Sequence, residues 1–105
     1  MKKESKLSPQ EHLAIHQELY RMLAFLQTAE DVEKFLDDLC TYQEIEQMAE
    51  RLSCAKYLHN GDTYNQIIAK TDVSSATLSR ISRCIQRGSG GYAELLPRYL
   101  EETKP

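Results

Sequence analysis

No stretch of this chain approaches the roughly 18 consecutive apolar residues of a membrane span. The longest apolar run is Met22 to Leu26. No basic-plus-apolar leader opens the sequence, so neither insertion nor secretion is expected, and a cytoplasmic location is. Cysteine is sparse. Cys40, Cys54 and Cys84 are an odd number with no CxxC pair, which speaks against a disulfide framework or a zinc ribbon and for reduced thiols. No alternating apolar–polar run marks a half-buried strand. No nucleophile has a base and an electrostatic stabiliser at a usable spacing, so no enzyme is expected. Gly90-Gly91 follows a helical stretch rather than a strand, so it is no phosphate loop, and no cofactor is implied. His12 and His16 stand four apart beside Glu11, a zinc-compatible spacing. No further Cys or His falls at ligand distance, and two ligands do not make a metal site. His59, near a helix end, simply favours the dipole.

What remains is ordinary in amount and unusual in arrangement. The 105 residues are 41% hydrophobic and 28% charged, which suits one globular domain with one modest core. The net charge of −3 hides a division. From Ser8 to Glu50, ten acidic residues stand against Arg21 and Lys34, a balance of −8. From Arg51 to Gly91, six basic residues stand against Asp62 and Asp72, a balance of +4. A basic module on an acidic body can still meet phosphate, because the local potential governs contact.

The spacing predicts an all-α chain of about six helices. Residues 1–7 are a polar, lysine-bearing arm, expected to be flexible. Ser8-Pro9-Gln10-Glu11 is a helix start with a cap, a first-turn proline and a capping-box glutamate. That helix should run to about Gln27, and its apolar residues (Leu13, Ile15, Leu19, Tyr20, Met22, Leu23, Phe25, Leu26) cover more than one stripe. Such a helix must be covered on more than one side, and in so short a chain a second copy supplies the cover most simply. Thr28 caps a second helix with Val32, Phe35, Leu36 and Leu39 on one face. Thr41 opens a third, with Glu44 at its capping-box position and a stripe of Ile45, Met48, Ala49, Leu52 and Ala55. Asn60-Gly61 ends it.

From Thr63 to Gly88 the pattern is a short helix, a tight turn and a second helix. Thr63 caps with Gln66 three residues on, and Ile67 and Ile68 are expected inward. Asp72, in the turn, is expected to take a left-handed conformation, which aspartate tolerates better than most residues. Ser74 caps the fifth helix and Gly88 stops it. On a helical wheel Ser74, Leu78, Ile81 and Ile85 share one side, while Ala76, Arg80, Arg83 and Arg87 share the other, with no acid among them. Small residues at Ser75, Ala76 and Ser79 allow that helix end to approach base edges, and arginine binds guanine or phosphate. This is how a helix-turn-helix DNA reader is written. A last helix carries Tyr92, Leu95, Leu96, Tyr99 and Leu100, with Pro97 starting or kinking it. The organisation expected is one domain over 1–105: dimerisation helices over 8–60, a helix-turn-helix over 63–88 and a C-terminal dimerisation helix over 92–102.

Leu39 to Thr41, Arg51, the run VSSATLSRISRCIQRG and the LPRYLEE close together resemble the Trp repressor superfamily, within it the short bacterial YerC/YecD branch. Its most specific part is Ala76 to Arg80, ATLSR. The resemblance implies an intertwined all-helical homodimer with two projecting reading heads. It also implies a ligand pocket, because the Trp repressor's tryptophan wedges between the third helix and the recognition helix. Thr41, Arg51, Thr77 and Arg80 match pocket positions. Ile81 stands where the repressor has glycine, and Cys84 where it has serine. Isoleucine adds four carbons where an indole would lie, and overpacking of that kind is destabilising. The expectation is a plugged, vestigial pocket and DNA binding without tryptophan.

The leading reading is therefore a sequence-specific regulator, a repressor of transcription, that binds double-stranded DNA as a homodimer on a palindromic operator. Thr63, Asn65 and Lys70 would brace the phosphate backbone. Ser75, Ala76, Ser79 and Arg80 would meet the major groove, Arg83 and Arg87 would engage phosphates, and the cap residue Ser74 belongs to the same DNA-binding set. Two alternatives stand beside it: the same regulator gated by another small metabolite, and a helical module whose acidic surface binds a protein.

Overall fold

The computed structural model describes residues 4–105. Of the polar arm expected over 1–7, residues 1–3 lie outside the described residues. Six α-helices follow in order, and no strand occurs among the described residues: α1 (Pro9–Phe25), α2 (Ala29–Leu39), α3 (Tyr42–His59), α4 (Tyr64–Lys70), α5 (Ser75–Arg87) and α6 (Leu96–Glu102). Between α5 and α6 lies one π-turn, Gly91–Leu95. The chain divides after Thr41 into two compact units.

The first unit holds α1 and α2. Ser8 caps α1: its hydroxyl accepts the Glu11 N–H at 3.1 Å while Glu11 accepts the Ser8 N–H at 2.9 Å. The Ser8 backbone N–H, and after it the Ser8 side chain, hold the Glu11 carboxyl below its ordinary 4.5. Residues 4–7 form no helix, yet Ser5 ties them to α1 through a 2.7 Å hydrogen bond to His12 Nε2. The helix stops at Phe25, two residues before the expected Gln27, because Leu26 turns to extended backbone. The breadth of its apolar surface is visible in its exposure: Leu13, Ile15, Tyr20 and Phe25 are each more than half exposed. On α2, Thr28 accepts the Asp31 N–H at 3.0 Å, and Glu30 and Asp31 lie in the first turn, where the helix dipole favours them.

The second unit holds the buried core. Cys54 and Ala55 of α3, Ile67 of α4, Val73 of the turn, Leu78 and Ile81 of α5, and Leu96 of α6 form one cluster, with Tyr57, Leu58, Ile85, Tyr92 and Leu100 packed around it. Each fully covered aliphatic side chain contributes about 1.5–3 kcal/mol of burial. Three short elements could not stand separately, since isolated helices of this length are marginal in water. Met48 and Leu52, on the expected stripe of α3, stay 38% and 44% exposed.

Gly61 ends α3 in the left-handed region at φ +92°. The Asp62 N–H reaches the Tyr57 carbonyl at 3.0 Å and the Gly61 N–H reaches Leu58 at 3.1 Å, the paired bonds of a Schellman motif. At the other end of the unit, α6 begins with Pro97 in its first turn. Proline has no N–H to donate, and its ring clashes with the carbonyl four residues back. The preceding turn widens accordingly, and the Leu96 N–H bonds to Gly91 five residues back. Leu96 and Leu100 then face the core, while Leu95 and Tyr99 are 55% and 53% exposed.

Candidate nucleic-acid interface

α4 is seven residues long and is started by a full capping box. Thr63 accepts the Gln66 N–H at 3.2 Å, and Gln66 Oε1 accepts the Thr63 N–H at 2.8 Å. Only Ile67 is buried in α4; Ile68, expected inward, is 39% exposed. The reason is periodicity: Ile68 lies about 100° round from Ile67, and a helix packed on one side covers only one of two adjacent positions.

The turn to α5 runs from Thr71 to Ser74 and is held by side-chain hydroxyls. Thr71 donates to the Ile67 carbonyl at 2.7 Å and accepts the Val73 N–H at 3.3 Å. Asp72 does not adopt the left-handed conformation expected of it, since no described residue other than glycine has a positive φ. With Thr71 and Ser74 both extended, the chain reverses without a left-handed residue. Val73 instead turns its side chain into the core, 7% exposed. Beneath the turn, burial pushes the Cys54 thiol above its ordinary 9.0, opposed by a hydrogen bond with Thr71.

Ser74 caps α5. Its hydroxyl accepts the Thr77 N–H at 3.1 Å and lies 3.0 Å from the Thr77 hydroxyl, to which it donates. Leu78 and Ile81 face inward at 0% and 2% exposure. The opposite face is open: Ser75, Ala76, Ser79, Arg80, Arg83 and Arg87 are all exposed. None of the three arginines is held in a salt bridge among the described residues, where Glu30 pairs with Lys34 and Asp62 with Lys70. Three unpaired guanidiniums on thirteen residues, with no acid on the helix, make a cationic ridge with a small-residue tip. Such a ridge can lie in a groove, giving hydrogen bonds to base edges from its tip and to phosphates from its flank. Gly88 ends the helix for a steric reason, because a Cβ there would overlap the Cys84 carbonyl.

The structure brings some of the remaining predicted residues to this site and separates others. Thr63 and Asn65 lie exposed at the start of α4, with the Thr63 hydroxyl used in the cap. Lys70 is engaged by Asp62 at 2.5 Å. Arg51 and Thr77 line one cavity of about 370 Å³ between α3 and the start of α5, with Gln47, Glu50, Asp72, Val73 and Ser74. Ile81 is in the core, Arg80 is on the exposed ridge, and Cys84 lines a different, largely apolar groove with Leu52, Tyr92, Leu95 and Tyr99. Thr41 belongs to the first unit. Among residues of the second unit, the expected pocket set is thus not one cluster. Gln47 and Glu50 were missed as cavity residues. Gln47 stands three residues before Glu50 and four before Arg51, spacings that put it beside both on a helix, a signal that was available.

The family model described as Trp repressor protein matches residues 14–100. An uncharacterised Bacillus subtilis (strain 168) protein, YerC, is 39% identical over 84 residues, which covers 80% of this chain and 81% of that one. Among solved structures, a Trp repressor candidate from Staphylococcus aureus superposes with a TM-score of 0.78 at 36% identity, covering 89% of this chain and 95% of the other. A TrpR-like protein from Eubacterium eligens ATCC 27750 gives 0.75 at 32% identity, covering 79% and 86%.

Proposed function

This chain belongs to the Trp repressor family, and from that premise we propose that it is a repressor of transcription that binds a palindromic operator as a homodimer, without tryptophan. The observation that carries the DNA reading is the face of α5: Arg80, Arg83 and Arg87 exposed and unpaired among the described residues, behind a tip of Ser75, Ala76 and Ser79. The tip and Arg80 read bases in the major groove, Arg83 and Arg87 bind phosphates, and Thr63 and Asn65 steady the backbone from the start of α4. Two such heads address half-sites roughly 34 Å apart. The homodimer is supported by the apolar residues that a single chain leaves exposed on α1, on α3 at Met48 and Leu52, and at Leu95 and Tyr99.

Independence from tryptophan is supported by packing. Ile81 is 2% exposed, so its side chain fills the position in the core where the repressor has glycine. The adjoining cavity is lined by charged and polar groups, with Val73 the one aliphatic residue, and offers an indole no apolar slot. That same cavity favours one second reading: a small polar metabolite held between Arg51 and the acids Glu50 and Asp72 gates the head.

Selection of bound sequences from a random DNA pool, with and without tryptophan, tests the proposal. A two-fold-symmetric consensus that is the same in both arms is expected. A consensus that emerges only with tryptophan, or micromolar tryptophan binding by calorimetry, overturns the ligand-free reading. Failure to select any sequence overturns the DNA reading itself.

A further inference from the structure

α4 buries a single residue, Ile67, yet the turn into the reading helix departs from its end. The two ends of α4 converge on one residue, Tyr57, one at its backbone carbonyl and the other at its ring. Asp62 precedes the cap of α4 and donates its N–H to the Tyr57 carbonyl on α3. Lys70, the last residue of α4, places Nζ 4.0 Å from the centroid of the Tyr57 ring and 2.5 Å from Asp62 Oδ2. Charge, ring and carboxylate thus close a loop around a helix of under two turns. The Lys70 side chain is 46% exposed and that of Asp62 is 25% exposed. The pair is therefore only partly screened by water, and the ring face takes up the stem and charge of the lysine.

We propose that Lys70 is a positioning residue of the DNA-binding head, acting through Asp62 and Tyr57, and not one of its phosphate ligands. This reassigns a residue whose charge and place in the helix-turn-helix suggest a backbone contact, and it rests on the DNA-binding reading above. Two facts favour it. Lys70 differs from Arg80, Arg83 and Arg87 in being neutralised within the chain, so a phosphate would have to displace Asp62 to reach it. The residue after Lys70 is Thr71, whose hydroxyl organises the turn into α5 through Ile67 and Val73. Holding the last turn of α4 therefore holds the point from which α5 departs.

The test compares Lys70→Met, Lys70→Arg, Asp62→Asn and Tyr57→Leu in the full chain, with two readouts. The first is amide hydrogen exchange over Ile67–Thr71 in the absence of DNA. Lys70→Met should speed exchange by about tenfold, the size expected of one cation–π contact plus one partly screened ion pair, and Asp62→Asn and Tyr57→Leu, which each remove one of the two, by about threefold. Lys70→Arg should restore it, since arginine keeps both the charge and the stacking. The second is affinity for the selected operator over a salt series. Lys70→Met and Asp62→Asn should both weaken binding, the former more, and leave the salt slope unchanged. If Lys70→Met instead flattens the slope by roughly one per head while Asp62→Asn tightens binding, Lys70 is a phosphate ligand and the proposal is overturned. Unchanged exchange over Ile67–Thr71 in all three disruptive variants overturns it as well. A native chain that binds no DNA would remove the functional reading, while the exchange readout would still judge the clamp.

Discussion

Arg83 offers the sharpest test of the reading face. It is exposed, has no ion-pair partner among the described residues, and sits between Arg80 and Arg87 on the open side of α5. Arg83→Gln removes the charge, keeps a long polar stem and preserves helix propensity. A surface change of this kind should alter stability by no more than about 0.5 kcal/mol, so an effect on binding is an effect on contact. Each phosphate neutralised on duplex DNA contributes about −0.9 to the slope of log affinity against log salt. In the proposed homodimer two heads double that, so the variant should show a slope shallower by about 1.8. Between 50 and 200 mM salt the native protein should therefore lose roughly twelvefold more affinity than the variant. Fluorescence anisotropy on the selected operator and on a scrambled duplex measures both slopes. The loss should be the same on the two duplexes, because phosphates carry no sequence. Arg80→Gln should behave differently, narrowing the gap between operator and scrambled duplex by about 1–3 kcal/mol. Parallel salt slopes for native protein and Arg83→Gln would refute the assignment of Arg83 to a phosphate.

Leu78 is fully buried between α3 and α5, and Leu78→Ala should cost about 2–5 kcal/mol in a urea titration, enough to threaten so small a unit. Ser74→Ala removes the α5 cap seen at 3.1 Å and should cost about 1 kcal/mol, read as a fall in melting temperature. The Cys54 thiol has a folded-state pKa raised by burial above 9.0. Its stabilising effect is complete below that value, where folded and unfolded chains are both protonated. It declines as pH rises above 9.0 and through the folded-state pKa, because only the unfolded chain ionises freely. Denaturation at a series of alkaline pH values should show a steeper decline for the native protein than for Cys54→Ala.

Much of the fold was legible because this sequence punctuates its helices clearly. Ser8, Thr28, Thr63 and Ser74 all cap as expected, and two of them complete capping boxes with Glu11 and Gln66. The two faces of α5 were legible too, since period 3.6 alone separates Leu78 and Ile81 from Arg80, Arg83 and Arg87. What escaped depends on tertiary context. Asp72 was expected to be left-handed because a tight turn often needs such a residue, but here Thr71 satisfies the turn with its hydroxyl. The engagement of Lys70 could not be read from spacing, because it joins residues 8 and 13 positions apart on three separate segments. The π-turn was also out of reach: Pro97 announces a disturbance but does not say whether the chain kinks, restarts or widens.

That widened turn has a consequence for how the end of the chain can change. A π-turn carries one residue more than an α-turn, so everything after it is delayed by about 100° of rotation. Leu96 and Leu100 owe their inward setting to that delay, as Leu95 and Tyr99 owe their exposure. The turn therefore works as a phase shifter. Deleting one residue from Gly91–Leu95, or replacing Pro97 so that the turn can tighten, would alter no side chain of α6 beyond that point. It would still exchange which of its residues face the core and which face outward. The surface that α6 offers is set by a count of residues upstream as much as by the residues it contains.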